Sequence, residues 1–546
     1  MNFFLAFLSL FMVSQRADLI LHNGKIMTMN PNMPYVEAVA IRKNKIIAIG
    51  SDEEIMKLKT GRTKIVDLRG RLALPGFNDS HLHFLAGGKS LFTLDLNGKS
   101  EREIALMLKE KLKSAGAGEW IEGRGWDQYY FKDRKFPKKE LLDKIAPNNP
   151  VVLKRVCGHI IWVNSKALEI AGINKNTKDP EGGVIVRDKE GKPTGILKEN
   201  AAELIYRVMP EMNFKTAKKY ILRALDEAKK YGITSIQDNS SLLALQVYKY
   251  LYKRNKLTLR ISFWGNFYKS VKENLKVKKG IDVFDSRYLR FGLIKGFMDG
   301  TLGARTAKMF LPYNDDPSTS GIFTIDLNEL FKKTVEFNRA GLQVGFHAIG
   351  DYAVWMALKA FEAAEISTGR KDLRNRIEHS QTVRSDDIDN YKRLNVIASM
   401  QPSHMLYDYK WAQKRLGKER SKEAYRWNSF IKKKIHVAFG TDWPIVPLNP
   451  MIGLYASITR TNFKGEPFGG WIPSEKISLY QAIYNYTVEG AYATFEENIK
   501  GRIFPGMLAD IVVLSDDITV IPPSEILKTK VDMTIFDGKI IYKRQE

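Results

Sequence analysis

The chain has 546 residues, of which 44% are hydrophobic, so it is long enough for two or three domains and too apolar for a disordered protein. Its single cysteine, Cys157, excludes an intrachain disulfide framework and is typical of a reducing compartment. The formal net charge of +25 could indicate a nucleic-acid partner, but the basic residues are dispersed among acidic and apolar ones. We therefore expect a basic, solvated surface and no nucleic-acid partner.

Residues 1–13 form an apolar segment that is too short for a comfortable transmembrane helix and lacks the basic start of a secretory signal. Three interpretations stay open: a weak signal or anchor, a docked helix, or translation that begins at Met12. We favour the third and treat residues 1–16 as an apolar leader or a mis-assigned start. We expect no stable membrane insertion and a cytoplasmic location. Membrane association or export is the alternative if the segment is real.

Both ends of the chain have the pattern of short strands separated by turn signals. Asn23-Gly24 marks a turn near the N-terminus, and Asp537-Gly538 marks one near the C-terminus. We predict that residues 17–73 and 500–546 form one small composite β-sandwich.

Between the two ends, strand and helix patterns alternate, which is typical of a parallel sheet with crossover helices. The eight candidate strands are Leu74–Asp79, Gly232–Gln237, Leu257–Gly265, Leu289–Gly296, Gln343–Phe346, Asn375–Ile377, Asn395–Met400 and Val437–Gly440. They predict an α/β protein with a (β/α)8 TIM barrel over residues 74–499, whose active site lies at the carboxyl ends of the strands. Because the gap after the first strand is too long for a loop, residues from about 90 to 215 are predicted to be an inserted subdomain.

Six polar side chains lie in or directly after these predicted strands. His81 and His83 form a His-x-His pair, and because alternate residues of a strand point to one side, they would share a face. Two imidazoles on one face are a ready pair of metal ligands. The other four residues are Lys295, His347, His379 and Asp442. Any one of them could be a core or rim residue, but six at matching ends of five strands indicate a site at the barrel mouth.

On these residues the chain resembles the amidohydrolase superfamily of metal-dependent hydrolases. More narrowly, it is similar to amidohydrolase family 3, the branch that includes N-substituted formamide deformylase. The resemblance begins at Ala17 and covers nearly the whole chain. Its motifs are residues 74–83, 295–307, 346–351, 377–379, 440–444, 501–502 and 505–510.

The resemblance implies a ligand set for one or two divalent metal ions. It makes His81, His83 and Asp442 ligands of the first ion, and His347 and His379 ligands of the second. Zinc is the expected metal, although imidazole and carboxylate also suit iron or manganese.

The resemblance also implies that Lys295 is carboxylated by carbon dioxide, so that its carbamate bridges the two ions. An unmodified lysine is a cation and would repel a divalent metal, so this role depends on the modification. The alternative is a barrel-lining lysine paired with an acid.

The implied chemistry is hydrolysis of an amide or a related carbon–nitrogen bond of a small molecule. A bound metal would lower the pKa of water, and Asp442 would take the proton during attack and pass it to the leaving nitrogen. The expected substrate is an N-substituted formamide or another N-acyl compound. A cyclic-amide hydrolase or a deaminase of the same superfamily stays open, as does a non-catalytic barrel that acts as a binding protein. A homodimer also stays open.

Five further residues are candidate substrate contacts, each with a structural alternative. His159 and Asn164 lie in the insertion and match a segment of the family, and His159 could reach over the barrel mouth as part of a lid. His404 follows strand seven and is a candidate rim contact. Asp238 follows strand two and Arg305 follows strand four. Both could equally lie in structural ion pairs.

Overall fold

The structure, a computed structural model, describes residues 16–545. The predicted leader therefore lies outside the described residues, apart from Arg16. The chain divides into two compact units, of which one is Gly87–Arg223 and the other is the rest of the chain. Among residues 16–545, no helix combines the length and the hydropathy needed to cross a membrane.

Eight strands and two helices occupy the described chain up to Ser90. They are β1 (Leu19–His22), β2 (Lys25–Met27), β3 (Tyr35–Val36), β4 (Ala38–Arg42), β5 (Lys45–Gly50), α1 (Asp52–Met56), β6 (Lys64–Asp67), β7 (Leu72–Pro75), β8 (Phe77–Leu82) and α2 (Phe84–Ser90).

The inserted unit contains a six-stranded sheet with the strand order β13-β14-β12-β11-β10-β9. Its elements are β9 (Leu94–Asp95), α3 (Glu101–Leu112), β10 (Ile121–Trp126), α4 (Lys139–Ile145), β11 (Val151–Arg155), β12 (Ile160–Val163), α5 (Ser165–Ile170), β13 (Gly183–Arg187), β14 (Pro193–Glu199) and α6 (Glu203–Tyr206). Two buried apolar clusters stabilise this unit, one of them built around Trp126 and Trp162.

The second half of the chain alternates strands and helices. The elements are α7 (Phe214–Lys230), β15 (Ile233–Asp238), α8 (Leu242–Tyr252), β16 (Arg260–Asn266), α9 (Val271–Ile281), β17 (Leu289–Phe297), α10 (Leu327–Arg339), β18 (Val344–Ala348), α11 (Asp351–Thr368), β19 (Arg376–His379), α12 (Ser385–Arg393), β20 (Ile397–Met400), α13 (Pro402–Arg420), α14 (Trp427–Lys432), β21 (Val437–Phe439), α15 (Pro450–Thr459) and α16 (Leu479–Tyr492). Short 3-10 turns lie at Gln128–Tyr130, Asn200–Ala202, Ser421–Glu423, Pro473–Glu475 and Pro523–Lys528.

Several helices begin at a sequence signal that satisfies their first backbone N–H groups. In α1, α3 and α9, a serine caps the helix and a glutamate three residues later returns a hydrogen bond to the serine backbone. The pairs are Ser51 with Glu54, Ser100 with Glu103, and Ser270 with Glu273.

The predicted barrel is confirmed. Strands β8 and β15 to β21 are parallel and pair with their neighbours in chain order, which gives one nearly closed eight-stranded sheet. Between the last and first strands, Asp442 N–H donates to His81 O at 2.7 Å and His83 N–H donates to Trp443 O at 2.8 Å. The ring therefore closes at residues of the predicted site.

The predicted first strand, Leu74–Asp79, is wrong in extent because it spans parts of two strands. Residues Leu72–Pro75 form β7, and the barrel strand β8 begins at Phe77. Gly76 lies between them and donates its N–H to Asp510 O at 2.9 Å. A Cβ atom at this position would lie 2.3 Å from Thr234 Oγ1, so only glycine allows the chain to pass from one sheet to the other here.

The strands outside the barrel form two sheets in the same unit. The first has the order β5-β4-β1-β6. The second has the order β24-β23-β22-β7-β2-β3, where β22 is Ile511–Leu514, β23 is Val531–Phe536 and β24 is Lys539–Lys543. Residues of both sheets, such as Leu21 and Ile511, belong to one buried apolar cluster. The composite β-sandwich and the domain boundaries predicted from the sequence stay predictions.

Candidate metal centre

The six predicted metal ligands lie at the carboxyl ends of five barrel strands. His81 is in β8 and His83 follows it; the others are in β17 (Lys295), in β18 (His347), at the end of β19 (His379) and after β21 (Asp442). His83 Nε2 is 3.2 Å from Asp442 Oδ1, and His81 Nε2 is 3.7 Å from the same oxygen. One possible ligand atom from each of these three residues lies within 4.8 Å of the others, a spacing that could hold a metal ion.

Backbone carbonyl groups orient two of the imidazoles, those of His83 and His347. His83 Nδ1 is 3.0 Å from Asn239 O, and His347 Nε2 is 2.9 Å from Gly300 O. Because a carbonyl only accepts hydrogen bonds, these two nitrogens carry the protons, and His83 Nε2 and His347 Nδ1 keep their lone pairs. His379 Nδ1 is buried and makes no hydrogen bond to any described residue. The histidines therefore fit a metal centre, since this is how ligand histidines are oriented in proteins.

Lys295 is the most unusual side chain of the group. It is buried, and its Nζ makes no hydrogen bond within residues 16–545. The Nζ atom lies 5.6 Å from the ring centroid of Trp264 and 5.0 Å from that of Phe297. Burial lowers the pKa of this amine to about 8. A buried ammonium without an acceptor is costly, so the structure fits a simple acid-paired lysine poorly.

Asp442 is the central carboxylate of the site. Burial would raise its pKa, but the neighbouring imidazoles of His81, His83 and His404 outweigh that effect and hold the pKa below its usual range. Its backbone has φ of 59°, and that of His379 has φ of 73°, both in the left-handed region that non-glycine residues rarely adopt. Strained backbone of this kind is concentrated at functional sites.

His404 belongs to the cluster itself. It lies in the first turn of α13, and its Nε2 is buried, without a hydrogen bond among described residues, and 3.8 Å from Asp442 Oδ2. Its ring is stacked on that of His379 with the centroids 6.0 Å apart. His379, His404 and Asp442 form a second group whose ligand atoms lie within 4.8 Å of one another. The described donors therefore form two candidate groups for an ion, and the groups share Asp442.

Asp238 does not have a free carboxylate to offer a substrate. It is fully buried, and its oxygens accept hydrogen bonds from the Phe84 N–H at 2.8 Å, Ser240 Oγ at 2.7 Å and Tyr248 Oη at 2.7 Å. Arg305 forms a two-pronged ion pair with Asp315 at 3.1 and 3.0 Å. The structure therefore favours the structural alternative for both residues over substrate binding.

The two candidates in the inserted unit have different surroundings. Asn164 is fully buried and makes four hydrogen bonds: it accepts from the backbone of Val151 and Ala167 and donates to that of Ala146 and Asn149. This corrects its prediction as a substrate contact, since every amide group is used inside the unit. His159 is exposed, with Nδ1 3.0 Å from Glu199 Oε2, and its role in a lid stays a prediction.

Two charged residues of the site were not singled out from the sequence. Arg376 and Glu378 alternate in β19 just before His379, and both are buried. Glu378 lies 2.9 Å from His81 Nδ1 and 2.9 Å from Arg376 Nε. The Arg-x-Glu spacing is a signal that could have identified them, because alternate residues of a strand share a face. Two charged side chains on one face of a buried strand need partners inside the barrel.

Comparison with known proteins agrees with this geometry. The model of the amidohydrolase family matches residues 64–542. The putative amidohydrolase YtcJ of Bacillus subtilis is 33% identical over 96% of this chain and 99% of its own length. Protein LONG AFTER FAR-RED 3 of Arabidopsis thaliana is 34% identical over 91% of this chain and 87% of its own. N-substituted formamide deformylase of Arthrobacter pascens is 23% identical over 97% of this chain and 99% of its own length.

A solved structure supports the same assignment. The crystal structure of an uncharacterized metal-dependent hydrolase from Pyrococcus horikoshii OT3 is 32% identical, with a TM-score of 0.75, and the match covers 92% of this chain and 99% of that one. The resemblance seen in the motifs is thereby confirmed. The chain belongs to the amidohydrolase family and is a metal-dependent hydrolase that acts on carbon–nitrogen bonds other than peptide bonds.

Proposed function

We propose that the protein hydrolyses the amide bond of a small N-acyl compound, with N-substituted formamides as the first class to test. The observation that carries the proposal is the buried cluster of imidazoles around the Asp442 carboxylate, with an unpaired lysine amine beside it. The relative from Arthrobacter pascens, named N-substituted formamide deformylase, supports the choice of substrate class.

In this proposal, His81, His83 and Asp442 hold a first divalent ion, expected to be zinc. His347 and His379 would hold a second ion, and Lys295, as its carbamate, would be a ligand of both ions. An ion bound there would lower the pKa of a water molecule and polarise the substrate carbonyl. The chain itself supplies the donor atoms and fixes their orientation through Asn239 O and Gly300 O.

The Lys295 amine is proposed to become a carbamate. Its nitrogen attacks the carbon of carbon dioxide, and the nitrogen–carbon bond forms as one carbon–oxygen π bond breaks and its electron pair moves to the oxygen. The nitrogen then releases a proton to water. The reaction needs the neutral amine, and the pKa of about 8 gives a larger neutral fraction near pH 7 than an ordinary lysine has. The product is an anion in place of a cation, which suits a position among metal ligands.

Asp442 is proposed to move the proton. Its carboxylate stays ionised at neutral pH because the surrounding imidazoles hold its pKa below the usual range, so it can accept a proton from the attacking water. It then donates that proton to the leaving nitrogen, because an amine leaves poorly unless it is protonated. His404 Nε2, which has no partner in the described chain, is placed to donate a hydrogen bond to a substrate oxygen.

The lid, the location and the oligomeric state are also proposed. His159 is proposed as a lid residue that contacts the substrate. A small-molecule substrate, a cytoplasmic location and a homodimer complete the proposed function.

The proposal is tested by metal content and a substrate panel measured on the same preparations. Protein purified without chelator is expected to hold about two equivalents of metal, and Lys295→Ala about one or none. The panel contains N-alkyl and N-aryl formamides, the matching acetamides, cyclic amides and amino-heterocycles, with amine and ammonia release followed separately. Amine release from formamides that disappears in Asp442→Asn supports the proposal.

Two results would overturn it. Ammonia release from amino-heterocycles alone would identify a deaminase. Absence of metal from both preparations, with no turnover after zinc, iron or manganese is added, would identify a non-catalytic barrel.

A further inference from the structure

Glu378 is a fully buried carboxylate beside the metal centre, and the proposed chemistry does not use it. It lies in β19, with no exposed surface, between an imidazole and a guanidinium. Its Oε2 is 2.9 Å from His81 Nδ1, and its Oε1 is 2.9 Å from Arg376 Nε. A buried carboxylate is costly unless it is paired, so these two contacts account for its presence in the barrel.

Arg376 is itself fixed by several strands. It donates to Ser80 O in β8 at 2.8 Å and to Ser399 Oγ in β20 at 2.9 Å, and its remaining terminal nitrogen bonds to Gln237 Oε1 in β15. The guanidinium therefore links strands from across the barrel. Because it is held at several points, it can hold the Glu378 carboxylate in one place.

The position of Glu378 determines which nitrogen of His81 carries the proton. Glu378 Oε2 and His81 Nδ1 lie at ion-pair distance without a hydrogen bond between them in the described structure. Because a carboxylate repels a lone pair, His81 Nδ1 is the nitrogen that bears the hydrogen. The lone pair is then on Nε2, which faces Asp442 Oδ1 at 3.7 Å.

We propose that Glu378 is a positioning residue for metal retention: held by Arg376, it fixes His81 in the tautomer and orientation that present Nε2 to the first ion. The proposal rests on the metal centre of the proposed function, but it concerns metal affinity and does not depend on the substrate. Carboxylates behind ligand histidines typically change metal affinity 10- to 100-fold when replaced, so a loss of about that size is expected.

The competing explanation is that Glu378 only neutralises the buried Arg376. A purely structural ion pair would lower the stability of the metal-free protein and leave metal affinity unchanged. Glu496 provides the matched control, because it is also buried and pairs with Lys500 at 2.7 Å and Arg290 at 3.4 Å, away from the predicted ligands.

The test measures the Kd for Zn²⁺ by competition with a chromophoric chelator, and the Tm of the metal-free protein, for Glu378→Gln and Glu496→Gln. We expect Glu378→Gln to weaken Zn²⁺ binding by about 10- to 100-fold and Glu496→Gln to leave it within about twofold. Both variants are expected to lower the Tm. Zn²⁺ affinity that is unchanged in Glu378→Gln, with a fallen Tm, would overturn the proposal.

A double-mutant cycle shows whether the effect passes through His81. In a His81→Ala background, Glu378→Gln should cause no further loss of affinity, because the residue that it orients is gone. A full additional loss in that background would contradict the proposed route. If Glu378→Gln does not fold, Glu378→Asp keeps the charge beside Arg376 and withdraws it from His81, and the same comparison is made with that variant. These readouts need no turnover, so they can fail or succeed independently of the proposed hydrolase activity.

Discussion

At the amino-terminal end of the barrel strands, Arg260 is buried and bonded to Asp510 at 2.6 and 2.8 Å and to Asp537 at 3.1 Å. At the carboxyl end, Lys295 is equally buried, and its Nζ makes no hydrogen bond among the described residues. Burial alone would lower the pKa of both bases, but the two carboxylates raise that of Arg260, whereas that of Lys295 falls to about 8. The two ends of the barrel therefore differ in whether their buried base has a hydrogen-bonded partner.

The same contrast extends to neighbouring residues. Glu496 at the amino-terminal end has Lys500, Arg290 and the Thr494 hydroxyl as partners. At the mouth, His379 Nδ1 and His404 Nε2 have no hydrogen-bond partner in the part of the chain that the structure describes. These unused ring nitrogens at the mouth are atoms that a ligand could satisfy.

The largest effect is expected from Asp442→Asn at the mouth. Removing the carboxylate should lower kcat/KM by about 10³- to 10⁴-fold, because the proton acceptor and one ligand are lost together. The Tm of the metal-free protein should stay the same or rise, because no structural partner of Asp442 is left unpaired. Steady-state kinetics and thermal unfolding check this. A large fall in Tm with only a modest loss of activity would show that Asp442 stabilises the fold, as the charged residues at the amino-terminal end do.

Arg260→Ala at the opposite end should give the reverse pattern. It leaves Asp510 and Asp537 buried without their cation, which should cost about 3–5 kcal/mol of the free energy of unfolding. Metal content per folded chain should not change, since no predicted ligand contacts Arg260. Urea unfolding followed by circular dichroism, together with elemental analysis of the folded fraction, tests both statements. Loss of metal at unchanged stability would contradict them.

The pH dependence of metal binding sharpens the comparison within the mouth. Burial lowers the pKa of His81, so its imidazole stays neutral below the usual 6.5. Burial also opposes protonation of His83, but Asp442 outweighs it and raises the pKa, so His83 protonates first. In the Lys295→Ala variant, Zn²⁺ affinity should therefore fall between pH 6 and pH 5 by clearly less than the roughly hundredfold expected when two histidines compete for protons. Chelator competition at each pH measures it, and a fall of about a hundredfold would show that both histidines titrate normally.

The smallest effect is expected from Arg305→Ala. Arg305 pairs with Asp315, which also contacts Arg415, and the pair is partly exposed to solvent. The Tm should shift by less than about 2 °C, and KM should not change, because this ion pair replaces the predicted substrate contact. A KM increase of tenfold or more at unchanged Tm would restore Arg305 as a substrate-binding residue.

Much of the barrel could be predicted because its strands and helices carry strong local patterns. The predicted strand Leu289–Gly296 is observed as Leu289–Phe297. The first strand failed because Leu72–Phe77 is a nearly continuous apolar run, and hydrophobicity does not reveal that Gly76 divides it between two sheets. Sheet partners are determined by distant residues, such as Asp510, that no local pattern identifies.

The candidate site was predictable where its residues follow the ends of strands. His81, His83 and Asp442 were placed by strand alternation and barrel topology alone. His404 was placed at the rim because it follows β20, but it lies on a helix whose first turn directs it back to Asp442. The direction of a helix after a strand depends on tertiary packing, which the sequence pattern does not contain. Asn164 failed for the opposite reason, since the surrounding backbone uses all of its polar atoms. The hydrogen bonds of Asp238 favour the structural alternative that its sequence position left open.

Three of the predicted metal ligands lie where the first and last strands of the barrel meet, so metal binding should affect how the barrel closes. β8 and β21 share no continuous ladder, and the seam between them is bridged by the backbone bonds of Asp442 to His81 and of His83 to Trp443. An ion bound by the side chains of His81, His83 and Asp442 would link the same two strand ends that these backbone hydrogen bonds join. Extraction of the metal should therefore open the ring locally, and faster amide hydrogen exchange in residues 77–83 and 437–443 than in the rest of the barrel would reveal it.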